Sequence, residues 1–346
     1  MSVTQKGHAY GCAPWSLREV IDVNSIKRVI VNGLPSIDVV YTWVDASDPE
    51  WRSLYQESVR GRQQVVGEHD SATDAARFVS RGELYYSIRS VRRHAPWVRN
   101  IYVVSNCAPP SWFGLFPNLV YVHHEDVFPG GRGLPTFNSH AIETVLHRIE
   151  GLSERFIYFN DDVFLCRDVE PEDFFYGECG VYFFPSTHDI PYERDSSCLR
   201  PVDQGAINSS GLLFGSFNRR PEKKLHHTAH PLSRSILREI EYRYTEAVES
   251  TRSHAFRHPE DVAMATTLHA YYAYYTGRGM PKDIATRYID IGDPRFVFLV
   301  HPWSPLMRGE YVTLCLNEVT DIRRLKGLRD RIVARVLWRL FDREQG

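Results

Sequence analysis

The sequence has little that would mark a secreted scaffold, a membrane protein or a nucleic-acid binder. Its six cysteines, Cys12, Cys107, Cys166, Cys179, Cys198 and Cys315, are scattered over 346 residues and form no Cys-x-x-Cys pair. That spacing argues against a standard zinc motif, and it reads as a reduced cytosolic chain rather than a disulfide framework. No stretch approaches the roughly 20 apolar residues that span a bilayer. The opening "MSVTQKGHAYGCAPW" lacks the apolar centre of a signal peptide. The formal net charge is -2, so no excess of positive charge speaks for nucleic acid. Internal repeats and low-complexity segments are also missing. The expectation is a cytoplasmic protein, with peripheral contact to the inner face of the cell membrane as an open alternative.

What is present is an ordinary globular composition, 43% hydrophobic and 24% charged, long enough for one large domain or two small ones. Residues 1–35 carry no strong pattern. "SIDVVYTWVD" predicts a buried strand over 37–44 that ends at Asp45. "DASDPEW" follows as a turn, with Asp48 as turn former or helix cap. Residues 56–80 read as a loop or irregular helix. Leu84, Ile88 and Val91 recur at helical spacing, and Pro96 stops that helix. "NIYVVSN" and "LVYVHHED" are further strands. "NSHAIETVLHRIEG" is a helix with Ala141, Val145 and Ile149 on one face, and "RFIYFNDD" is a fourth strand.

Strands alternating with helices predict an α/β protein with a mostly parallel sheet. Three of the strands end in polar clusters: Asp45, Ser105-Asn106 and Asn160-Asp161-Asp162. Ligands of such sheets bind beyond the carboxyl ends of the strands, so the clusters are expected to converge on one cleft. Beyond residue 170, "FFYGECGVYFF" reads as strand, 232–250 and 259–276 as helices, and "RFVFLVHPW" and "EYVTLCLNEV" as late strands. The expected organisation is an N-terminal extension (1–35), a main domain (36–320) with a helical insertion at 225–280, and a basic amphipathic helix (321–346). In that helix Leu325, Leu328, Ile332, Val336 and Leu340 form a stripe, beside eight Lys/Arg and four Asp/Glu. It either docks on protein or lies on an anionic membrane surface.

"RFIYFNDDVFLC" poses the sharpest chemical question. Two adjacent carboxylates between apolar runs are costly unless something positive meets them. Magnesium prefers one or two carboxylates together with the phosphates of its ligand. If the strand continues, Asp161 and Asp162 point to opposite sides, so one binds metal while the other orients neighbours. The plainer alternative is a turn whose aspartates cap backbone groups. "HHTAHPLSR" offers His226, His227 and His230 as general-base candidates, at a spacing that fits no zinc motif. "FRHPEDVA" sets Arg257, His258, Glu260 and Asp261 at a helix start, which suits a phosphate or simple capping. "PTFNSHAIE" places Asn138, Ser139, His140 and Glu143 at another helix start, where Asn138 either bonds a sugar or caps. The tyrosines of "HAYYAYYTG" belong to a core.

Taken together, "IDVVYTWVDASDPEW", "RGELYYSIRSVRRHAPWVRNIYVVSN", "LPTFNSHAIETVLHRIEGLSERFIYFNDDVFL", "HHTAHPLSR…FRHPEDVAMA" and "VTLCLNEV" resemble, in order, the conserved regions of the stealth family. The resemblance runs from residue 36 to residue 320. That family comprises bacterial capsule and exopolysaccharide phosphotransferases and the catalytic part of the lysosomal-enzyme N-acetylglucosamine phosphotransferase. The resemblance implies a Rossmann-like, nucleotide-sugar-binding core. It implies transfer of a sugar-1-phosphate from a UDP-linked or similar donor to a hydroxyl of an oligosaccharide or polysaccharide acceptor. Nucleoside monophosphate would leave, with Mg2+ or Mn2+ as cofactor.

On the matching positions, Asp161 and Asp162 become metal and diphosphate candidates, His227 the base, and Arg257 the phosphate grip. Asp45, Asn138, His140, Asn160, His230, His258 and Asn317 become substrate-binding candidates. The last region usually reads Leu-Asn-Asp, whereas here it reads Leu316-Asn317-Glu318, which leaves a metal role for Glu318 open. Ala46 stands where the first region commonly has glycine. The alternatives are a metal-dependent glycosyltransferase that releases nucleoside diphosphate, and a non-catalytic nucleotide- or glycan-binding protein.

Overall fold

The computed structural model describes residues 36–62, 78–192, 199–300, 309–318 and 326–342. In chain order the elements used below are β1 (Ile37–Thr42), α1 (Pro49–Arg60), α2 (Glu83–His94), β2 (Ile101–Ser105), β3 (Leu119–His123), α3 (Ser139–Glu143), β4 (Arg155–Asn160) and β5 (Val163–Leu165). They continue with α4 (Pro201–Phe217), β6 (His230–Ser233), α5 (Arg234–Arg243), α6 (Thr245–Ser253), α7 (His269–Tyr275), β7 (Thr286–Asp290), α8 (Phe296–Leu299), β8 (Thr313–Asn317) and α9 (Lys326–Phe341).

The central sheet has the order β6-β4-β1-β2-β3. β1 to β4 run parallel, and β6 lies antiparallel on the β4 edge. Both faces are covered, which is why β1 and β4 carry continuous apolar stretches, Val39-Val40-Tyr41 and Phe156-Ile157-Tyr158-Phe159, rather than alternating ones. Register places Thr42 opposite both Val104 and Asn160, so the carboxyl ends of β1, β2 and β4 are level. The chain is therefore a mainly parallel α/β protein. A second sheet, β7-β8-β5, stands next to it, and β5 is antiparallel to β8. Smaller sheets are formed by 175–176, 180–183 and 279–281, and by 185–189 with 223–225.

The helix α2 joins the two sheets. Leu84, Ile88 and Val91 are buried as their spacing predicts, and so are Ser87 and Ser90. The Ser87 hydroxyl donates to the Val163 carbonyl, so it accepts from Tyr41 Oη, 2.8 Å away on β1. Ser90 Oγ accepts from Leu165 N at 3.0 Å. Short hydroxyls thus let the helix backbone approach β5 closely while meeting the Val163 carbonyl and the Leu165 amide of the strand.

Several expectations are corrected. The predicted helix over 138–151 stops at Glu143 and resumes as a 3-10 turn at Leu146–Arg148. The buried Arg252 donates to Thr144 Oγ1 at 3.1 Å and to the Thr144 carbonyl at 3.2 Å, so that carbonyl does not continue the helix. The predicted 232–250 helix begins as strand β6 and breaks at Tyr244 between α5 and α6. Only the end of 259–276 is α-helix, after a π-helical turn at Met264–Leu268. In "RFVFLVHPW" the described part is the short helix α8, with Phe296 buried and Phe298 75% exposed. A short apolar run does not tell helix from strand. Asp48 caps α1, accepting from Trp51 N at 2.8 Å; of 56–80, read as loop or irregular helix, 56–60 is the end of this helix and 63–77 lies outside the described residues. α4 went unplaced in the sequence because Gly205, Gly211 and Gly215 weaken its helical signal.

The C-terminal helix α9 turns Val333, Val336, Leu337 and Phe341 into a cluster with Phe164, Leu314 and Leu316. Of the expected stripe, Leu325 lies outside the described residues and Leu328 is exposed. Of the two alternatives, docking on protein describes Val333, Val336, Leu337 and Phe341, which pack on the chain's own second sheet. Among the described residues no helix is long and apolar enough to cross a membrane.

At the amino edge of the sheet, Asp38 is wholly buried inside β1. It accepts from Arg99 Nε at 2.9 Å, Asn100 N at 3.1 Å and Ser153 N at 2.7 Å. One carboxylate therefore fixes the entries to β2 and β4. Asp38→Ala strands two buried amides and a guanidinium, and it should lower unfolding free energy by about 3 kcal/mol or more in urea titrations.

Candidate active site at the carboxyl edge of the sheet

β4 delivers Asn160, then the chain leaves the central sheet and enters β5 within two residues. Asp161 and Asp162 occupy that step. The Asp162 carbonyl accepts from Leu316 N at 3.0 Å, which pins the turn against β8. β8 presents Cys315 and Asn317 two residues apart, hence on one face. The segment before β6 supplies His227, whose side chain is 36% exposed.

These side chains meet. Asp162 Oδ1 lies 3.3 Å from His227 Nε2, and Asp162 Oδ2 accepts from Asn317 Nδ2 at 2.7 Å and from Cys315 Sγ at 3.5 Å. Asn160 Nδ2 lies 3.2 Å from the same His227 nitrogen, and Asn160 Oδ1 accepts from Tyr158 Oη at 2.9 Å. Tyr288 stands edge-on to the His227 ring at 6.1 Å. Burial opposes charge on both partners. Even so, His227, Asn317 and Cys315 hold the Asp162 carboxyl below its usual range. Asp162 in turn holds the His227 imidazole above its own.

Asp161 is the opposite case. Burial, then Asp162, then Glu83 push its carboxyl well above the ordinary range, countered only by amides of its own turn. A carboxylate paired with side chains and one met by backbone amides therefore sit side by side.

A second cluster centres on Asp261, which is fully buried. It accepts from Asn138 Nδ2 at 2.7 Å and His258 N at 2.9 Å, with His254 Nδ1 at 2.7 Å and His140 Nδ1 at 3.6 Å. Asn138 also caps α3, accepting from His140 N at 3.1 Å. Both polar ends of Asn138 are thus engaged within the fold. The His258 ring stacks on His254 at 3.9 Å. Arg257 donates to Ser139 Oγ at 2.9 Å, while its Nε is buried without a hydrogen-bond partner. Arg257 and Glu143 both act electrostatically on His227, so the two clusters adjoin.

The remaining candidates lie apart from these contacts. The Asp45 carboxylate closes its own turn, with Ser47 N donating at 2.8 Å. His230 is buried in β6 beneath Tyr158, and burial brings its pKa down to about 3, so it stays neutral. Glu318 faces Arg81 and Arg329 in a buried ion-pair cluster that also includes Asp330. Its charge is met by two guanidinium groups that tie α9 to α2.

Cys315 and Glu83 were missed in the sequence. Cys315 was findable as the same-face neighbour of Asn317. Glu83 carried no signal, because only the packing of α2 brings it within range of Asp162.

Family models named Stealth protein conserved regions 1, 2 and 3 match residues 35–58, 77–182 and 226–274. The second therefore holds both the α2 segment and Asn160-Asp161-Asp162, and the third holds His227 and Arg257. An exopolysaccharide phosphotransferase of Streptomyces coelicolor is 44% identical over 82% of this chain and 47% of its own length. A capsular polysaccharide phosphotransferase of Actinobacillus pleuropneumoniae is 31% identical over 92% of this chain and 84% of its own length. The chain spans about half the length of the first curated relatives it matches. The solved structure of a galactosyltransferase, LgtC, with donor and acceptor sugar analogs superposes with a TM-score of 0.45 at 11% identity, over 89% of this chain and 98% of that one.

Asp261 gives a pH test. Burial works against its charge, but His140, His254 and the His258 amide hold its carboxyl below the ordinary value. Its contribution is therefore present above the unfolded value of 3.8 and lost as pH falls through the lower folded value. Asp261→Asn should cost about 3 kcal/mol at pH 7. The gap to wild type in denaturant titrations should narrow progressively below 3.8.

Proposed function

Because this chain belongs to the stealth family, we propose that it transfers a sugar-1-phosphate from a nucleotide sugar to a hydroxyl of a growing capsular or exopolysaccharide chain. The observation that carries the reading is the pair Asp162–His227, 3.3 Å apart at the carboxyl edge of β4, with Arg257 in electrostatic range. In the proposed reaction the acceptor oxygen forms a bond to the phosphorus that carries the sugar. The bridging P–O bond of the diphosphate breaks, and nucleoside monophosphate leaves. The acceptor proton passes to the His227 imidazole, whose affinity for a proton is raised by Asp162 beside it. Asn160 and Asn317 fix the ring and the carboxylate. Arg257, with a buried Nε that lacks a partner, is the natural clamp on a phosphate oxygen. Phosphoryl transfer asks chiefly for such positioning and charge.

The residues also fit a hard divalent cation. Asp161 and Asp162 offer oxygen donors, and burial first, then Asp162 and Glu83, oppose ionisation of Asp161, a cost that a cation would offset. Mg2+ or Mn2+ would be held by these two carboxylates together with the donor's phosphates. When bound it would supply charge neutralisation on the donor diphosphate as nucleoside monophosphate leaves. The family relatives' names speak of phosphotransfer and of polysaccharide. UDP as the nucleotide, the sugar, and the glycan acceptor are parts of this proposal.

³¹P NMR of the protein incubated with Mg2+, nucleotide sugars and a capsule oligosaccharide should show a new phosphodiester and nucleoside monophosphate. Nucleoside diphosphate without a phosphodiester would instead establish a glycosyltransferase. His227→Ala should reduce turnover on the order of 10²–10⁴-fold, and an unaffected rate would remove His227 from the mechanism. Arg257→Lys should raise the donor KM about ten- to hundredfold, since a point charge replaces a fork.

A further inference from the structure

We propose that Asp162, His227 and Cys315 form a second, inhibitory metal site that takes a thiophilic cation, Zn2+ first among them. One ligand atom from each, an oxygen, a nitrogen and a sulfur, lies within 4.8 Å of the others. Bond lengths of about 2.0–2.3 Å to zinc set tetrahedral edges of roughly 3.3–3.6 Å between ligands. Asp162 already touches both other ligands, through Oδ1 to His227 Nε2 at 3.3 Å and through Oδ2 to Cys315 Sγ at 3.5 Å. A small turn of the carboxylate and closure of the sulfur–nitrogen distance would bring one atom of each residue to zinc dimensions.

The surroundings complete the case. Asn317 Nδ2, 2.7 Å from Asp162 Oδ2, braces the carboxylate from outside, as outer-shell groups do in metal sites. The half-exposed edge of His227 leaves a way in and a fourth position for water or a phosphate oxygen. Ligand softness separates this site from the magnesium site of the proposed reaction. Magnesium keeps to oxygens and has no use for imidazole or thiol, whereas zinc prefers them. Asp162 belongs to both, so the two metals exclude each other. On binding, the Cys315 thiol releases its proton to solvent and the sulfur bonds to zinc. The His227 nitrogen lone pair is donated to the metal and is no longer free to take the acceptor proton. The inhibitory consequence rests on His227 being the base; the metal site itself does not.

The test titrates the purified full chain with Co2+, a coloured stand-in for the spectroscopically silent zinc. A near-ultraviolet sulfur-to-cobalt charge-transfer band should develop at one equivalent and disappear on adding Zn2+. Cys315→Ser should lack the band, and His227→Gln should bind at least about tenfold more weakly. Thermal melting of each variant without metal reports its folding. Added Zn2+ should raise the melting temperature of wild type and leave Cys315→Ser unmoved. No band in the wild type, or a band that persists in Cys315→Ser, overturns the site. The other three-ligand group among the described residues, His254, His258 and Glu260, has no sulfur and cannot produce the band. Zinc should also halve transfer at the concentration that half-displaces the band and abolish it at saturation, and transfer unaffected at saturating zinc overturns the inhibitory role. If no transfer is found at all, the band still decides the site.

Discussion

Much of this structure follows from one abrupt step, the passage of the chain from β4 into β5 within two residues. It carries Asp161 and Asp162 from the edge of the parallel sheet to the second sheet. Two carboxylates so placed are tolerated only where partners are supplied. β8 supplies Asn317 and Cys315, and the segment before β6 supplies His227. The elements that meet at this step come from three separate parts of the chain. Their common feature is that each ends or turns where the β4–β5 junction needs hydrogen-bond donors.

Other buried charges show the same economy of design, one acid serving several donors. Asp38 holds the amino edge of the sheet, and Asp261 ties α3 to the segment before the π-helical turn. Glu241 gathers His147, Arg148 and Arg252, and those contacts hold its carboxyl far below the ordinary range against the opposing effect of burial. Glu318 bridges Arg81 and Arg329. Such groups are costly to bury and costlier to orphan. They therefore fix relative positions of elements more than they add stability. For a reaction that depends on placing a phosphorus, a hydroxyl and a base in line, fixed position is what matters.

The division between paired and unpaired groups also separates scaffold from chemistry. Asn138, expected as a sugar ligand, has both ends of its amide occupied by the fold. Glu318 is likewise occupied. Arg257, with its unpartnered Nε, is not, and Asp161 is met by amides of its own turn. The motif that carried the family resemblance contains both kinds of residue, and a sequence pattern does not distinguish them.

The parallel strands and the polar ends of β1, β2 and β4 were legible in the chain because burial on both faces leaves long apolar runs and because turn residues punctuate them. The acidic pair stood out for the same reason, charge set against apolar neighbours. Helix breaks were not legible. The interruption after Glu143 comes from Arg252, more than a hundred residues away, and α4 hid behind its glycines. Nor could the chain announce that Cys315 faces Asp162 across 153 positions, or that α9 spends its apolar face on Phe164 and Leu314 rather than on another surface. Local pattern records which face of a segment avoids water. Which distant group meets that face is decided only when the sheets close on each other, since that choice depends on packing between segments that share no local signal.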